Sequence, residues 1–316
     1  MKEIVAGIDI GGTNTVFGLV DQEGKLLVKE SIPTGHFPIP EDLAAVVSEH
    51  IKKALLPFKN EYKLSGVGIG APNGNYFKGT IEFAPNLKWQ GIVPLAQLFQ
   101  ERLGVRTLLT NDANAAALGE MIFGGAKGMK DFLFITLGTG LGSGIVSNGE
   151  MIYGHDSFAG EIGHVLMFPD GRPCGCGRKG CLETYCSATG IKRTYSDLLM
   201  SNHEKVDLSD KVADAKYIYD KAIAGEKSAL EAFNYTGDIL GLALANSVAY
   251  TSPEAIFLFG GLAQAGELIF KPTRESFERN LLNIYKNKIK ILPSQLKEND
   301  AAILGAASLM WKELNK

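Results

Sequence analysis

Apolar and polar positions alternate through the first third of the chain, and glycine interrupts them at short intervals. Residues 3–10, 15–20 and 26–31 read as three strands joined by tight glycine-containing turns. A helical period covers 41–56, followed by a strand over 65–71 and a loop rich in Gly, Pro and Asn. A helix over 94–103 and a strand over 106–110 lead into 112–121, where Ala and Leu favour helix. The second half opens with a strand over 131–137 and continues as an irregular Gly- and Cys-rich stretch. Helical segments fill 188–250, a buried-type strand covers 255–259, and further helix precedes a strand near 289–292. An apolar-faced helix covers 301–314. Strands and helices in this order predict an α/β fold.

The opening recurs at the start of the second half. Gly12-Thr13-Asn14-Thr15-Val16-Phe17-Gly18-Leu19-Val20 and Gly138-Thr139-Gly140-Leu141-Gly142-Ser143-Gly144-Ile145-Val146 share one frame: Gly-Thr, four residues, Gly, two aliphatics. A further glycine follows each, at Gly24 and Gly149. The frame predicts two similar β-hairpins, one in each half.

At 316 residues the chain suggests two domains, and no low-complexity linker separates them. Its net charge of -3 gives no basic field, so a nucleic-acid partner is not expected. The most apolar helical stretch, near 239–248, is shorter than a bilayer span and contains Asn246. With no export signal at the start, no membrane partner is expected and the cytoplasm is the expected location.

Several segments could carry chemistry. Asp9-Ile10-Gly11-Gly12-Thr13-Asn14 follows a strand, and its glycines let backbone amides cradle a phosphate while Asp9 could hold Mg²⁺. A plain glycine-rich hairpin turn is the alternative. Gly138-Thr139-Gly140 is a second such turn, and Gly260-Gly261 breaks a third strand end. Together they suit a triphosphate and an adenosine. No Gly-x-x-x-x-Gly-Lys-Ser/Thr occurs, which excludes a P-loop. Asn111-Asp112 joins a strand to a helix, where Asp112 reads either as an N-cap or as a base for a hydroxyl proton.

The four cysteines, Cys174, Cys176, Cys181 and Cys186, crowd into one segment just after His164. His164, Cys174, Cys176 and Cys181 make a Cys₃His set, the usual form of a closed structural Zn²⁺ site; buried free thiols are the alternative. Cys186 reads as a core thiol, and Arg178 and Lys179 as solvated loop tips. Glu161 and Glu183 flank the loop, which would hold both carboxylates in place once pinned by metal.

Together these segments resemble the ROK family of bacterial sugar kinases and related sugar-responsive repressors. The likeness runs from Asp9 to the final helix, and Cys-x-Cys-Gly-x-x-Gly-Cys-x-Glu over 174–183 is its most specific part. It implies an actin-like, ribonuclease H-like ATPase fold with two domains around a cleft, the last helix returning to the N-terminal domain. The expected division is 1–112, completed by 300–316, and 113–299 with the zinc loop.

The resemblance also implies ATP on Asp9, Gly11, Gly12, Thr13, Asn14, Gly138, Thr139, Gly140, Gly260 and Gly261, with Asp112 as base. It places the sugar on Gly74, Asn75, Asn86, Asn111, Asp112, Glu161, His164 and Glu183, with His164 touching sugar through one ring nitrogen and zinc through the other. Asn86-Leu87-Lys88-Trp89 resembles the Asn-Leu-x-Trp of the family's glucokinases. Pro72-Asn73-Gly74-Asn75, however, departs from its common Pro-Gly-Pro. The expected activity is ATP-dependent phosphorylation of a hexose, glucose first, by a homo-oligomer (dimer or tetramer). The alternatives are N-acetylglucosamine, N-acetylmannosamine or fructose as acceptor, or a repressor.

Overall fold

The computed structural model describes residues 1–201 and 214–316, so part of the helical stretch expected over 188–250 lies outside the described residues. The chain forms two compact units. Unit 1 comprises Met1–Met129, Glu150–Ala159 and Gln295–Lys316; unit 2 comprises Lys130–Gly149 and Gly160–Ser294.

Unit 1 is built on β1 (Lys2–Ile10), β2 (Asn14–Val20), β3 (Leu26–Pro33), α1 (Pro40–Leu55) and β4 (Tyr62–Ala71). Three short strands follow, β5 (Gly74–Asn75), β6 (Thr80–Glu82) and β7 (Ile92–Val93), which pair into a small sheet where the sequence suggests only a loop. Then come α2 (Leu95–Leu103), β8 (Thr107–Asn111) and α3 (Asp112–Phe123). The main sheet has the order β3-β2-β1-β4-β8. β1 runs antiparallel to β2 and parallel to β4, which runs parallel to β8.

Alternation sorts the two faces of β1. Ile4, Ala6, Ile8 and Ile10 enter a core with Leu43, Val47 and Ile51 of α1 and Phe99 of α2. On the other face Val5, Gly7 and Asp9 alternate with them. There a Cβ on Gly7 would lie 2.2 Å from the carbonyl oxygen of Ile303, and one on Gly68 would lie 1.8 Å from that of Ala306. Only hydrogen at these two positions lets the last helix lie directly on the sheet.

Unit 2 carries β9 (Phe132–Leu137) and β10 (Leu141–Ser147); β11 (Glu150–Met151) begins the short segment that belongs to unit 1. Next are α4 (Ala188–Ser201), α5 (Ala215–Ile223), α6 (Lys227–Thr251), β12 (Ala255–Phe259), α7 (Glu267–Asn280) and β13 (Lys290–Pro293). The chain finishes on α8 (Glu298–Leu314) in unit 1, which packs on β1, β4 and α3. Four strands of the second sheet run β10-β9-β12-β13, with β9 antiparallel to β10 and parallel to β12, itself parallel to β13. This repeats β2-β1-β4-β8, so the shared Gly-Thr frame marks two copies of one sheet plan. The core of unit 2 gathers Leu133, Ile135, Phe233, Leu240 and Phe277. No described helix is long and apolar enough to cross a membrane.

Candidate active site

In unit 1 the register of the sheet brings two acids together. Asp9 pairs with Gly70 across β1 and β4, and Ala71 pairs with Asn111 across β4 and β8. A Cβ built on Gly70 would lie 3.3 Å from Asp9 Oδ1 and 3.7 Å from Asp112 Cα. Asp9 is half-buried, and loss of solvation, then the charge of Asp112, pushes its carboxyl up to about 7. Asp112 keeps accessible surface, yet protein crowds it on most sides and the lost solvation raises its carboxyl above the usual carboxylate range. The amides of Ala113 and of Asp112 itself pull the other way.

The capping question resolves in favour of the neighbour. Asn111 is the N-cap of α3, its Oδ1 accepting from the Ala113 amide at 2.9 Å, and Asp112 is the first helical residue. Asp112 Oδ1 accepts from the same amide at 2.8 Å.

The first turn is closed by the Gly11 amide, which donates to the Asn14 carbonyl at 2.9 Å, while the Thr34 amide donates to the Thr13 carbonyl at 2.9 Å. Asn86 lies against this turn, its carbonyl oxygen 2.6 Å from the Cβ position of Gly12. The Asn86–Trp89 loop is anchored by Trp89 Nε1, which donates to the Phe37 carbonyl at 2.9 Å. Gly74 brings β5 close to β8: its Cβ position lies 2.4 Å from the Thr110 carbonyl oxygen.

Asn75 is bound within the protein. It is buried, and its Nδ2 donates to Glu82 Oε1 and to the Asp156 carbonyl, each at 3.1 Å. Its Oδ1 accepts from the amides of Phe77 and Lys78 at 3.1 and 3.2 Å. Both amide protons and the oxygen are engaged by protein, so Asn75 ties the 74–82 segment to the 150–159 segment, and a sugar would have to displace one of these bonds.

In unit 2 the second turn and the glycine pair lie side by side. The Leu262 amide donates to the Leu137 carbonyl at 3.2 Å, and a Cβ on Gly260 would lie 2.8 Å from that same oxygen. Gly138 donates its amide to the Gly140 carbonyl at 3.1 Å, and the Cβ position of Gly140 is 2.7 Å from Glu183 Oε2. Glu183 thus links this turn to the cysteine loop. Its Oε1 accepts from Cys174 Sγ at 2.9 Å and lies 3.7 Å from His164 Nδ1.

His164, Cys174, Cys176 and Cys181 converge, with ligand atoms all within 4.8 Å of one another. Cys176 Sγ is 3.6 Å from Cys181 Sγ, and Cys174 Sγ is 3.7 Å from His164 Nδ1. A tetrahedron with metal–sulfur bonds of about 2.3 Å has edges of about 3.8 Å, close to these two separations, so the donor set suits one ion. His164 Nε2 faces the other way, 4.0 Å from Glu161 Oε2.

Arg178 is more than a solvated tip. Its Nη2 donates to the His164 carbonyl at 2.8 Å, and its own carbonyl accepts from the Cys174 amide at 2.9 Å, which closes the loop from both sides. A basic residue between two glycines and two cysteines was the available signal. Cys186 is fully buried in the unit 2 core.

The chain is similar over nearly its whole length to known proteins. A glucokinase of Thermotoga maritima is 36% identical over 313 residues, covering 98% of this chain and 97% of that protein. A ROK family glucokinase from Streptomyces griseus, solved in complex with glucose and AMPPNP, is 34% identical with a TM-score of 0.78, covering 97% and 98% of the two chains. The ROK hexokinase of Thermus thermophilus is 29% identical with a TM-score of 0.83, covering 99% of each. The fold of unit 1 and unit 2 is that of the actin-like ATPases. The ROK family model matches residues 5–313, and the chain belongs to the ROK family.

Proposed function

We propose that this protein transfers the γ-phosphoryl of ATP to a hydroxyl of a free hexose, with glucose the preferred acceptor. The observation that carries the reading is the acid pair. Asp112 stands at the start of α3 beside Asp9, its carboxyl raised by lost solvation, and Asn111 occupies the N-cap position. A base gains strength as its pKa rises, and loss of solvation shifts Asp112 in that direction. It accepts the hydroxyl proton as the oxygen attacks phosphorus.

Asp9 would hold Mg²⁺, which draws charge from the phosphates. The amides of the Gly11–Asn14 and Gly138–Gly140 turns other than those of Gly11 and Gly138 would receive the phosphate oxygens, and Gly260-Gly261 would leave room for adenosine. Gly74, Asn86 and Asn111 of unit 1 and Glu161, His164 and Glu183 of unit 2 would read the sugar hydroxyls. The Cys₃His set would hold Zn²⁺ in a structural role, since protein supplies all four ligands. Nδ1 of His164 faces the cysteines and Nε2 faces Glu161, which supports a ring shared between metal and sugar.

ADP release measured across a panel of free sugars tests the proposal. Glucose should give the highest kcat/KM. Turnover highest on N-acetylmannosamine or fructose would reassign the acceptor. No turnover on any hexose, with a sequence-specific DNA shift at physiological salt, would mark the protein as a repressor.

A further inference from the structure

Arg172 stands outside every motif, yet its side chain, only 16% exposed, is the most heavily bonded cation of unit 2 among the described residues. Its Nη1 lies 3.1 Å from the Thr184 carbonyl, 3.2 Å from the Gly190 carbonyl and 3.0 Å from Thr194 Oγ1. Nη2 donates to Asp197 Oδ2 at 2.7 Å, and the guanidinium covers the Tyr185 ring at 4.6 Å from its centroid. Gly190, Thr194 and Asp197 belong to α4, whereas Thr184 ends the short turn Leu182–Thr184 that carries Glu183. The planar fork therefore bolts that turn to a helix.

Resting on the hexose-kinase reading, we infer that Arg172 is a positioning residue for Glu183, fixing the turn against α4 and so setting sugar affinity. The metal loop does not depend on the guanidinium. It is closed by the Gly180 amide on the Arg172 carbonyl at 2.8 Å, by the Leu182 amide on the Val165 carbonyl at 2.9 Å, and by Arg178. Replacing Arg172 leaves those bonds in place and removes the fork alone. Lysine keeps the charge but cannot reach a carbonyl, a hydroxyl and a carboxylate in fixed directions.

The test is steady-state kinetics of Arg172→Ala and Arg172→Lys on the sugar the wild type phosphorylates best, with zinc content measured in parallel. Arg172→Ala should raise the sugar KM at least about tenfold, with kcat within about threefold, the ATP KM unchanged and the zinc retained. The Lys variant should fall between. An unchanged sugar KM would overturn the inference. So would a lower kcat with both KM values unchanged, since that means only fewer folded molecules. Should Arg172→Ala fail to fold, Asp197→Asn at the exposed end of the fork serves instead. A rise in sugar KM of about threefold supports the inference, and no rise overturns it. A wild type that phosphorylates no hexose sinks the kinase reading itself, a result distinct from any change at residue 172.

Discussion

The β1–β2 and β9–β10 hairpins share a sequence frame and a sheet plan but handle charge in opposite ways. Setting Gly12-Thr13 on Gly138-Thr139 puts Asp9 opposite Ile135. Asp9 is carried to the end of β1 by alternation, on the face shared with α3 and α8, and Ile135 is fully buried core. Unit 1 thus holds its acids on the ends of strands and the first turn of a helix, where backbone register alone places them. Unit 2 holds Glu161 and Glu183 on irregular backbone, and a loop acid stays in position only if something ties the loop. Four metal-ligating side chains can do that where no sheet does.

The largest break should come at the strand-end acids. Asp112→Asn keeps shape and leaves the Asn111 cap intact, so the protein should fold, and sugar binding should weaken far less than turnover. Turnover should fall by about 10²–10⁴-fold. Rapid kinetics alongside calorimetry of sugar binding without ATP checks this, and a kcat near wild type would remove Asp112 from its role.

The loop acids should fail by the other route. Cys176→Ser should release zinc, lower thermal stability and weaken sugar binding by at least about tenfold, because ligation of the loop is linked to its folding. Elemental analysis and a melting curve read this directly. Washed wild-type protein without zinc would break the comparison at its second half.

A smaller, pH-dependent effect sharpens the first half. The carboxyl of Asp9 is pushed up from 3.8 to about 7, so the folded state favours its protonated form. That contribution to stability is fully present below about pH 4 and is lost as pH rises through 7. Asp9→Asn should therefore melt higher than wild type at pH 8, by on the order of 1–2 kcal/mol, with the gain shrinking toward pH 4. Its activity should nonetheless be lost. Equal gains at both pH values would mean that burial of charge is not the cause.

The smallest effect on turnover is expected at Asn75. Asn75→Ala removes hydrogen bonds to Glu82, Asp156, Phe77 and Lys78 and should cost about 1–3 kcal/mol in urea unfolding. The sugar KM should stay within about twofold, and a large rise would return Asn75 to the sugar ligands.

What the sequence by itself determined is local. Strand alternation, glycine turns, the repeated Gly-Thr frame and the Cys₃His spacing each lie within a few neighbouring residues, and both hairpins and the converged ligand set follow from them. What the tertiary structure decided is partnership over distance. Asn111 and not Asp112 occupies the N-cap position of α3, because Asn111 is extended at the strand end and Asp112 is already helical, although both side chains accept from the Ala113 amide. Helix α3 belongs with unit 1, beyond the boundary expected at 112. The Cβ position of Gly119 is 3.0 Å from Gly305 Cα, so α3 and α8 pack in near backbone contact. Asn75 is consumed by a carbonyl 81 residues away, and Arg172 by oxygens on a helix the motifs never mention. A residue's type declares which bonds it can make, but only the folded backbone decides which partners stand within reach.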